Sequence, residues 1–153
     1  MEENNKEIKV RIVEINEISY KQTQPPIPFE ELVFGENLIF GLGFNFDVSI
    51  ENEIFKHKTL ISFIIEGFDE PIIELETELV FHVINLKSVV NSKKDKEMDI
   101  DDNFLSTITG VSLGTSRGIL AKNTKGTPLA KFPLPILNSS DILKDLVKKE
   151  NKK

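Results

Sequence analysis

The clearest hydrophobic pattern in the chain lies in the segment LIFGLGFNFDVSI, residues 38–50. Its even positions are all apolar, whereas most of its odd positions are glycine or polar. This alternation of period two is typical of a long β-strand with one buried face, because a helix would scatter the same side chains around its circumference. The apolar positions are Leu38, Phe40, Leu42, Phe44, Phe46, Val48 and Ile50.

Three further segments show strand patterns. The β-branched residues of 8–20 predict a first strand that changes face through a bulge near Ile12–Val13. GFDEP (67–71) supplies a turn between the third and fourth strands, so strands two to four form a predicted meander. The apolar sets are Phe55, Ile61, Phe63 and Ile65 in the third strand and Ile73, Leu75, Leu79, Phe81 and Val83 in the fourth. We therefore expect a four-stranded antiparallel sheet with one covered face.

The segment QTQPPIPFEELVF (22–34) connects the first two predicted strands. Its three prolines exclude regular strand pairing, yet the segment is too apolar for a solvated linker. It predicts an ordered Pro-rich crossover loop that carries hydrophobic groups. The sequence leaves open whether these groups only cap the core or also form a binding surface.

The chain becomes helical after the charged segment NSKKDKEMD. The core face of this first predicted helix contains Phe104, Ile108, Val111 and Ile119, while Leu113 and Leu120 lie roughly opposite. Small residues recur every four positions at Ser106, Gly110, Gly114 and Gly118. Each glycine costs a helix about 1 kcal/mol relative to alanine. A helix with two apolar sides and such a stripe predicts close packing against a partner subunit, unless the glycines end the helix early.

The stretch TSRGILAKNTKGTPLAKFPLPILN (115–138) raises the question of a phosphate-binding loop. That loop requires G-x-x-x-x-G-K-[ST] directly after a strand. Here Gly118 and Gly126 are eight positions apart, Thr127 follows the second glycine, and a helix precedes the stretch. The pattern instead predicts an elbow at Lys125–Gly126 and an extended Pro-rich run. SSDILKDLVKKENKK then predicts a short second helix with a basic end.

Length and composition bound the class of protein. The 153 residues predict a single domain, 1–153, with a core of about 8–147, a flexible N-terminus 1–7 and a basic tail 148–153. The net charge of -6 argues against nucleic acid, and the lack of cysteine excludes thiol catalysis and thiolate metal sites. We see no secretory signal and no apolar stretch long enough to span a membrane, so we expect a soluble, cytoplasmic protein without direct membrane insertion.

The sequence offers little catalytic chemistry. His57 and His82 fall on opposite faces of the predicted sheet, so they cannot jointly bind a metal ion. No nucleophile and base occur in a recognisable arrangement. We therefore expect that the chain is not an enzyme and needs no metal or cofactor.

Glu74, Glu76 and Glu78 share the non-core face of the fourth predicted strand, and we call them the acidic stripe. Three neighbouring carboxylates can bind a cation or raise one another's pKa. They can also form a solvated face that protects the sheet, partly offset by Lys56 and Lys58, or dock a basic partner. The sequence does not decide among these alternatives.

Three segments resemble the bacterial protein-export chaperone SecB and its divergent SecB-like relatives. EISYKQTQPPIPF (17–29) resembles the end of the family's first strand and its entry into a Pro-containing loop with a phenylalanine. SRGILAKNTKGTPLAKFPLPILN (116–138) resembles the Ser-Arg-Gly stretch that ends the first helix and the hydrophobic run after it. SDILKDL stands where the family's short second helix begins. The order of elements matches from about residue 8 to residue 147.

SecB proteins are ATP-independent holdases that assemble as dimers of dimers, with their first helices packed between the dimers. The resemblance implies an α+β, SecB-like fold and a homotetrameric chaperone that binds unfolded preproteins for export. The implied polypeptide-binding groove consists of Ile27, Phe29, Val33, Phe34, Ile142 and Leu146. The implied oligomer interface consists of Ser106, Gly110, Leu113, Gly114, Gly118 and Leu120.

Family members that deliver cargo to the motor ATPase SecA dock it on acidic residues of the outer sheet face. The matching positions fall near Glu17, Lys21 and Ser62, of which only Glu17 is acidic. The acidic stripe is therefore an alternative docking surface for SecA. Three functions stay open at this point: a general export chaperone, a dedicated chaperone of one partner such as an antitoxin, and a carrier of a small hydrophobic ligand.

Overall fold

The computed structural model describes residues 7–92 and 98–150, with side chains as far as residue 145. These ranges contain six strands and two α-helices. The strands are β1 (Lys9–Gln22), β2 (Leu38–Ser49), β3 (Ile54–Ile65), β4 (Ile73–Ile84), β5 (Val90–Ser92) and β6 (Met98–Ile100). The helices are α1 (Asp102–Thr124) and α2 (Ser139–Glu150). Residues 1–6 of the predicted flexible N-terminus 1–7 and residues 151–153 of the predicted basic tail 148–153 lie outside the described residues.

The first four strands form one antiparallel sheet in the order β1-β4-β3-β2. The predicted α+β class, the four-stranded sheet and the two C-terminal helices are confirmed. A register shift between Ile12 and Glu14 confirms the predicted bulge, and a second shift between Glu17 and Ser19 was not predicted. The β5–β6 hairpin was missed, because strands of three residues are too short to show a period.

Two clusters of buried apolar side chains fill the space between the sheet and α1. One contains Phe63 and Leu113 and reaches the crossover loop and the elbow. The other contains Phe81 and Phe104 and reaches the β5–β6 hairpin. The helix packs over the two central strands, β3 and β4. The apolar positions predicted for the third and fourth strands all lie in these clusters.

A band of polar side chains separates the two clusters where α1 meets the sheet. Thr109 Oγ1 lies 3.2 Å from His57 Nε2, and Thr59 Oγ1 lies 3.3 Å from His57 Nδ1. Ser116 Oγ lies 2.7 Å from Thr77 Oγ1. A slide of α1 along the sheet would leave these buried groups unpaired, so the hydrogen bonds fix its position. The polar band consists of His57, Thr59, Thr77, Thr109, Ser112 and Ser116, all of them fully buried.

The orientation of α1 corrects the sequence prediction at three apolar positions. Val111, which was predicted to face the core, is 39% exposed. Leu113 and Leu120, which were predicted to lie opposite the core, are 2% and 1% exposed. Leu129 and Leu134 of the elbow pack in the same cluster as these two leucines. The chain's own elbow therefore covers the second apolar side of α1, and a partner subunit is not needed to explain it.

The elbow lies where the sequence predicted it. Helix α1 passes through the glycine stripe and ends at Thr124, so the alternative of an early helix end was wrong. Gly126 has a φ of 82°, a left-handed conformation that glycine adopts without steric cost. A 3-10 helix at Pro128–Lys131 follows, and residues 132–138 then run without regular structure to α2. In the described ranges, no helix is long and apolar enough to cross a membrane.

We predict that the buried imidazole of His57 makes stability depend on pH. Burial lowers the pKa of His57 to about 4, from an ordinary value of 6.5. The unfolded chain therefore binds a proton between pH 6.5 and pH 4 that the folded chain excludes, and stability falls as the pH falls through this window. His57 should account for about 3 kcal/mol of that loss.

The test is urea unfolding of the wild type and of His57→Gln between pH 4 and pH 7.5. The glutamine cannot titrate, so the difference in unfolding free energy between the two proteins should change across this window. Other titrating groups are common to both proteins and cancel. If the unfolding free energies of the two proteins instead changed in parallel over the whole pH range, the lowered pKa of His57 would be contradicted.

Candidate functional site

Strand β2 forms one edge of the sheet, and in the described part of the chain it pairs with β3 alone, apart from one isolated bridge between Leu38 and Phe34. Its sequence LIFGLGFNFDVS contains neither lysine nor proline, the residues with which proteins commonly protect an edge strand. Its inner face carries Phe40, Leu42, Phe44 and Phe46, and each of these side chains is only half-buried. The strand therefore combines an unpaired edge with a row of partly open apolar groups.

The crossover segment between β1 and β2 packs its aromatic groups against this row. The ring of Phe34 stacks on Phe40 with centroids 5.8 Å apart, and it meets Phe63 edge-on at 5.7 Å. Ile27 and Phe29 are half-buried against the same cluster. These contacts show that the hydrophobic groups of the crossover cap the core, and their incomplete burial leaves them open to a further ligand.

Asn37 holds the end of the crossover in a closed loop. Its Oδ1 accepts a hydrogen bond from Val33 N–H at 2.7 Å, and its Nδ2 donates to the Glu31 carbonyl at 2.7 Å. Gly35, between them, has a φ of 85°. The loop carries Phe34 at its centre, so the side chain of Asn37 helps to place the ring on β2.

The elbow and α2 supply the other boundary of the surface. Phe132 is half-buried and stacks on Phe34 with centroids 6.3 Å apart. Ile142 of α2 packs against the same apolar cluster. We call the combined area the aromatic surface. It consists of Ile27, Phe29, Phe34, Phe40, Leu42, Phe44, Phe132 and Ile142.

Four of the six predicted groove residues thus pack around one cluster. They are Ile27, Phe29, Phe34 and Ile142. Val33, in contrast, is 45% exposed and lies outside that cluster. The side chain of Leu146 lies outside the described residues.

The predicted oligomer interface divides into three parts. Leu113 and Leu120 belong to the protomer core, as described above, so they do not form an outer surface. Ser106 instead contacts the start of α2, where its Oγ lies 3.0 Å from Ser139 Oγ. Ser139 Oγ also lies 3.5 Å from the point where a Cβ on Gly110 would stand. Half of the small-residue stripe therefore accommodates the chain's own second helix.

The rest of the stripe faces outwards. Gly114 and Gly118 are exposed, and nothing except the adjoining backbone of α1 lies within 4 Å of a Cβ built on Gly118. Val111 is exposed on the same helix. These residues form an open, flat part of α1, which we call the outer face of α1.

The acidic stripe lies on the outer face of the sheet, as predicted. Glu76 pairs with Lys58 at 3.5 Å, whereas Glu78 stands opposite Lys58 in the strand register. Two shallow hollows of about 240 and 200 Å³ adjoin these charged groups. Glu17 does not belong to this face, because its carboxylate accepts a hydrogen bond from Asn123 near the end of α1. The predicted docking set is therefore split between two surfaces.

The histidines lie on opposite faces, as predicted, with His57 buried beneath α1 and His82 half-exposed on the other side. Among the described residues, no group of three or more histidine, aspartate or glutamate side chains is arranged to hold a metal ion.

Sequence reasoning missed three parts of the site. The alternation in β2 marked Phe40 and Phe44 as apolar, but no local signal showed that α1 would leave them partly uncovered. Phe132 was treated as part of the elbow, although a phenylalanine directly before Pro133 was a usable signal. The exposure of β1 was also missed. Its uncovered apolar residues are Val10, Ile12, Val13, Ile15 and Ile18, which are 40–54% exposed.

Comparison with known proteins finds similarity among solved structures. No protein-family model matches the chain, and no curated protein matches it either. A search of solved structures finds a SecB-like chaperone of Mycobacterium tuberculosis in complex with a peptide from the HigA1 antitoxin. The match has a TM-score of 0.48 and 14% sequence identity, and it covers 84% of this chain and 90% of the mycobacterial chain. Because the score and the identity are both low, the function proposed below rests on this chain's own residues.

We predict that Asn37→Ala lowers the free energy of unfolding by about 1–2 kcal/mol, because two hydrogen bonds that close the crossover loop are lost. Asn37→Asp should have an intermediate effect, since it keeps the acceptor for Val33 N–H and loses the donor to Glu31. Asn52→Ala is the control, because Asn52 is an exposed turn residue whose side chain bonds only to Ser49. Equal urea midpoints for Asn37→Ala and Asn52→Ala would show that the loop does not depend on Asn37.

Proposed function

We propose that the protein is an ATP-independent chaperone that holds unfolded polypeptides. The observation that carries this proposal is the aromatic surface beside the unpaired edge of β2. An unfolded chain exposes apolar side chains and unpaired backbone groups together. The aromatic surface takes up the first by burial, and the edge of β2 can hydrogen-bond the second as an added strand.

This mode of binding depends little on the amino-acid sequence of the client. Backbone hydrogen bonds are common to every polypeptide, and burial against phenylalanine rings favours any apolar segment. The mechanism needs no nucleotide, metal or covalent step, so we assign the chain no enzymatic activity. The resemblance to SecB in the sequence supports the same assignment.

The finer part of the proposal concerns the client. We propose that the clients are preproteins destined for export, with SecA docking on the acidic stripe. A single dedicated partner is the alternative within the same fold and the same surface. Binding to several unrelated unfolded proteins supports a general chaperone, whereas binding to one partner alone supports a dedicated one.

We also propose that the protein assembles as a dimer of dimers. Such an assembly needs two different interfaces, each related to itself by a two-fold axis. The protomer offers two uncovered areas of suitable character, the outer face of α1 and the exposed apolar side chains of β1. Neither area is covered by another part of the described chain.

The client prediction is that Phe44→Ala weakens the binding of an unfolded, reduced client about tenfold, because a ring on the aromatic surface is removed. Leu60→Ala is the matched control, since Leu60 is 43% exposed on the opposite face of the neighbouring strand β3. Fluorescence anisotropy of a labelled client measures both affinities. Wild-type protein that takes up no unfolded client would overturn the proposed function, and equal effects of the two substitutions would place binding elsewhere.

The assembly prediction concerns Gly118→Gln. Apart from the adjoining backbone of α1, no atom of the protomer lies within 4 Å of a Cβ at this position, and removing glycine favours the helix by about 0.5–1 kcal/mol. The same side chain should block close approach of another helix. Light scattering should therefore show smaller assemblies for Gly118→Gln with the helical signal retained, while Lys144→Gln on α2 should behave as the wild type. An unchanged mass would exclude the outer face of α1 as an interface.

A further inference from the structure

The backbone of the extended run of the elbow, residues 132–138, makes almost no hydrogen bonds to other backbone groups. Phe132 N–H donates to the Leu129 carbonyl before the run, and Ile142 N–H donates to the Asn138 carbonyl after it. Pro133 and Pro135 have no N–H, and no other backbone N–H of residues 133–138 donates to a backbone carbonyl of the described residues. Burial of Leu134, which is 2% exposed, holds the middle of the run against the core.

Arg117 supplies the polar anchor of this run. Its Nε donates to the Leu134 carbonyl at 2.9 Å, and its Nη2 donates to the Pro135 carbonyl at 2.8 Å. The guanidinium thus bridges two successive carbonyls from a fixed place on α1. Lysine cannot reproduce this contact, because its single ammonium group lacks the planar arrangement of donors.

The run also forms one wall of the aromatic surface. Phe132 at its beginning stacks on Phe34 with an interplanar angle of 21°, and Phe34 stacks on Phe40 at 24°. The three rings form a continuous row from the elbow, through the crossover, to the edge strand β2. The end of this row that is furthest from β2 has its backbone anchored through Arg117.

We propose that Arg117 is a positioning residue for polypeptide binding. It holds the elbow so that Phe132 and Phe34 stay stacked beside β2, and the aromatic surface is thereby preformed before a client arrives. Without this anchor, Phe132 leaves the row part of the time, and a client must order the elbow when it binds. That ordering lowers the affinity for the client, because the loss of conformational freedom makes the binding free energy less favourable. This inference rests on the proposed chaperone function and adds to it the residue that shapes the site.

A double-mutant cycle in the full chain tests whether Arg117 acts through Phe132. Arg117→Ala and Phe132→Ala should each weaken the binding of a labelled, reduced unfolded client about five- to tenfold. The double variant should bind no more weakly than Phe132→Ala alone, because Arg117 has nothing left to position. Lys122→Ala, which removes an exposed charge of the same sign from the same helix, should leave the affinity unchanged.

Several results would overturn the inference. One is additive effects in the cycle, and another is a lowered urea midpoint for Arg117→Ala with unchanged client affinity, which is the signature of a purely structural role. If Arg117→Ala does not fold, Arg117→Lys replaces it in the cycle, with the same expected non-additivity.

A measurement without client separates this inference from the proposed function. Nuclear Overhauser contacts between the rings of Phe132 and Phe34 should be present in the wild type and weakened in Arg117→Lys. Unchanged ring contacts would show that Arg117 does not position Phe132, whether or not the protein binds clients. If the ring contacts weaken but the wild type takes up no client, the proposed function fails and the positioning by Arg117 stands.

Discussion

The width of the sheet relative to its single covering helix is the constraint on which the rest of the structure depends. Neighbouring strands lie about 4.8 Å apart, so four strands present a face roughly 15–20 Å wide. An α-helix with its side chains is about 10–12 Å across. Helix α1 therefore covers the central strands β3 and β4 and leaves the inner faces of both edge strands to other parts of the chain.

The inner faces of the two edge strands, β2 and β1, are covered to different extents. On the β2 side, the crossover and the elbow bring in Phe34 and Phe132, which cover the strand only in part. On the β1 side, several apolar residues stay 40–54% exposed. Strand β1 also carries charged residues and two register shifts. Strand β2 is regular and carries only one charged residue, Asp47, and such an edge favours the addition of an extended polypeptide. The β1 edge is less suited to an arbitrary strand, which is consistent with its proposed use as an interface between two copies of the chain.

Much of the fold could be predicted because its strands have strong local patterns. The alternation in β2 and the apolar sets of β3 and β4 each identify a strand and its inner face without knowledge of its neighbours. The elbow was readable from Gly126 and the prolines after it. These features depend on short-range chemistry, which a single sequence displays directly.

The remaining features depend on contacts between distant residues. The orientation predicted for Leu113 and Leu120 was wrong. These two leucines pack in one buried cluster with Leu129 and Leu134 of the elbow, which folds back over α1. His57 is buried beneath α1, where it contacts Thr109, a residue 52 positions away in the sequence. Likewise, the sequence suggested the groove residues of the crossover through a family resemblance, but it gave no sign that Arg117 anchors the opposite wall. Such pairings are set by the packed structure, so no local pattern reveals them.

We propose that an extended polypeptide binds along β2 beside the aromatic surface. The most direct measurement is amide hydrogen exchange followed by mass spectrometry, with and without a reduced, unfolded client. We expect added protection in residues 38–49, in the crossover at 27–37 and in the elbow at 132–138, with little change in β4 at the centre of the sheet. Protection confined to the outer face of α1 or to β1, or no change in β2 at saturating client, would contradict the claim.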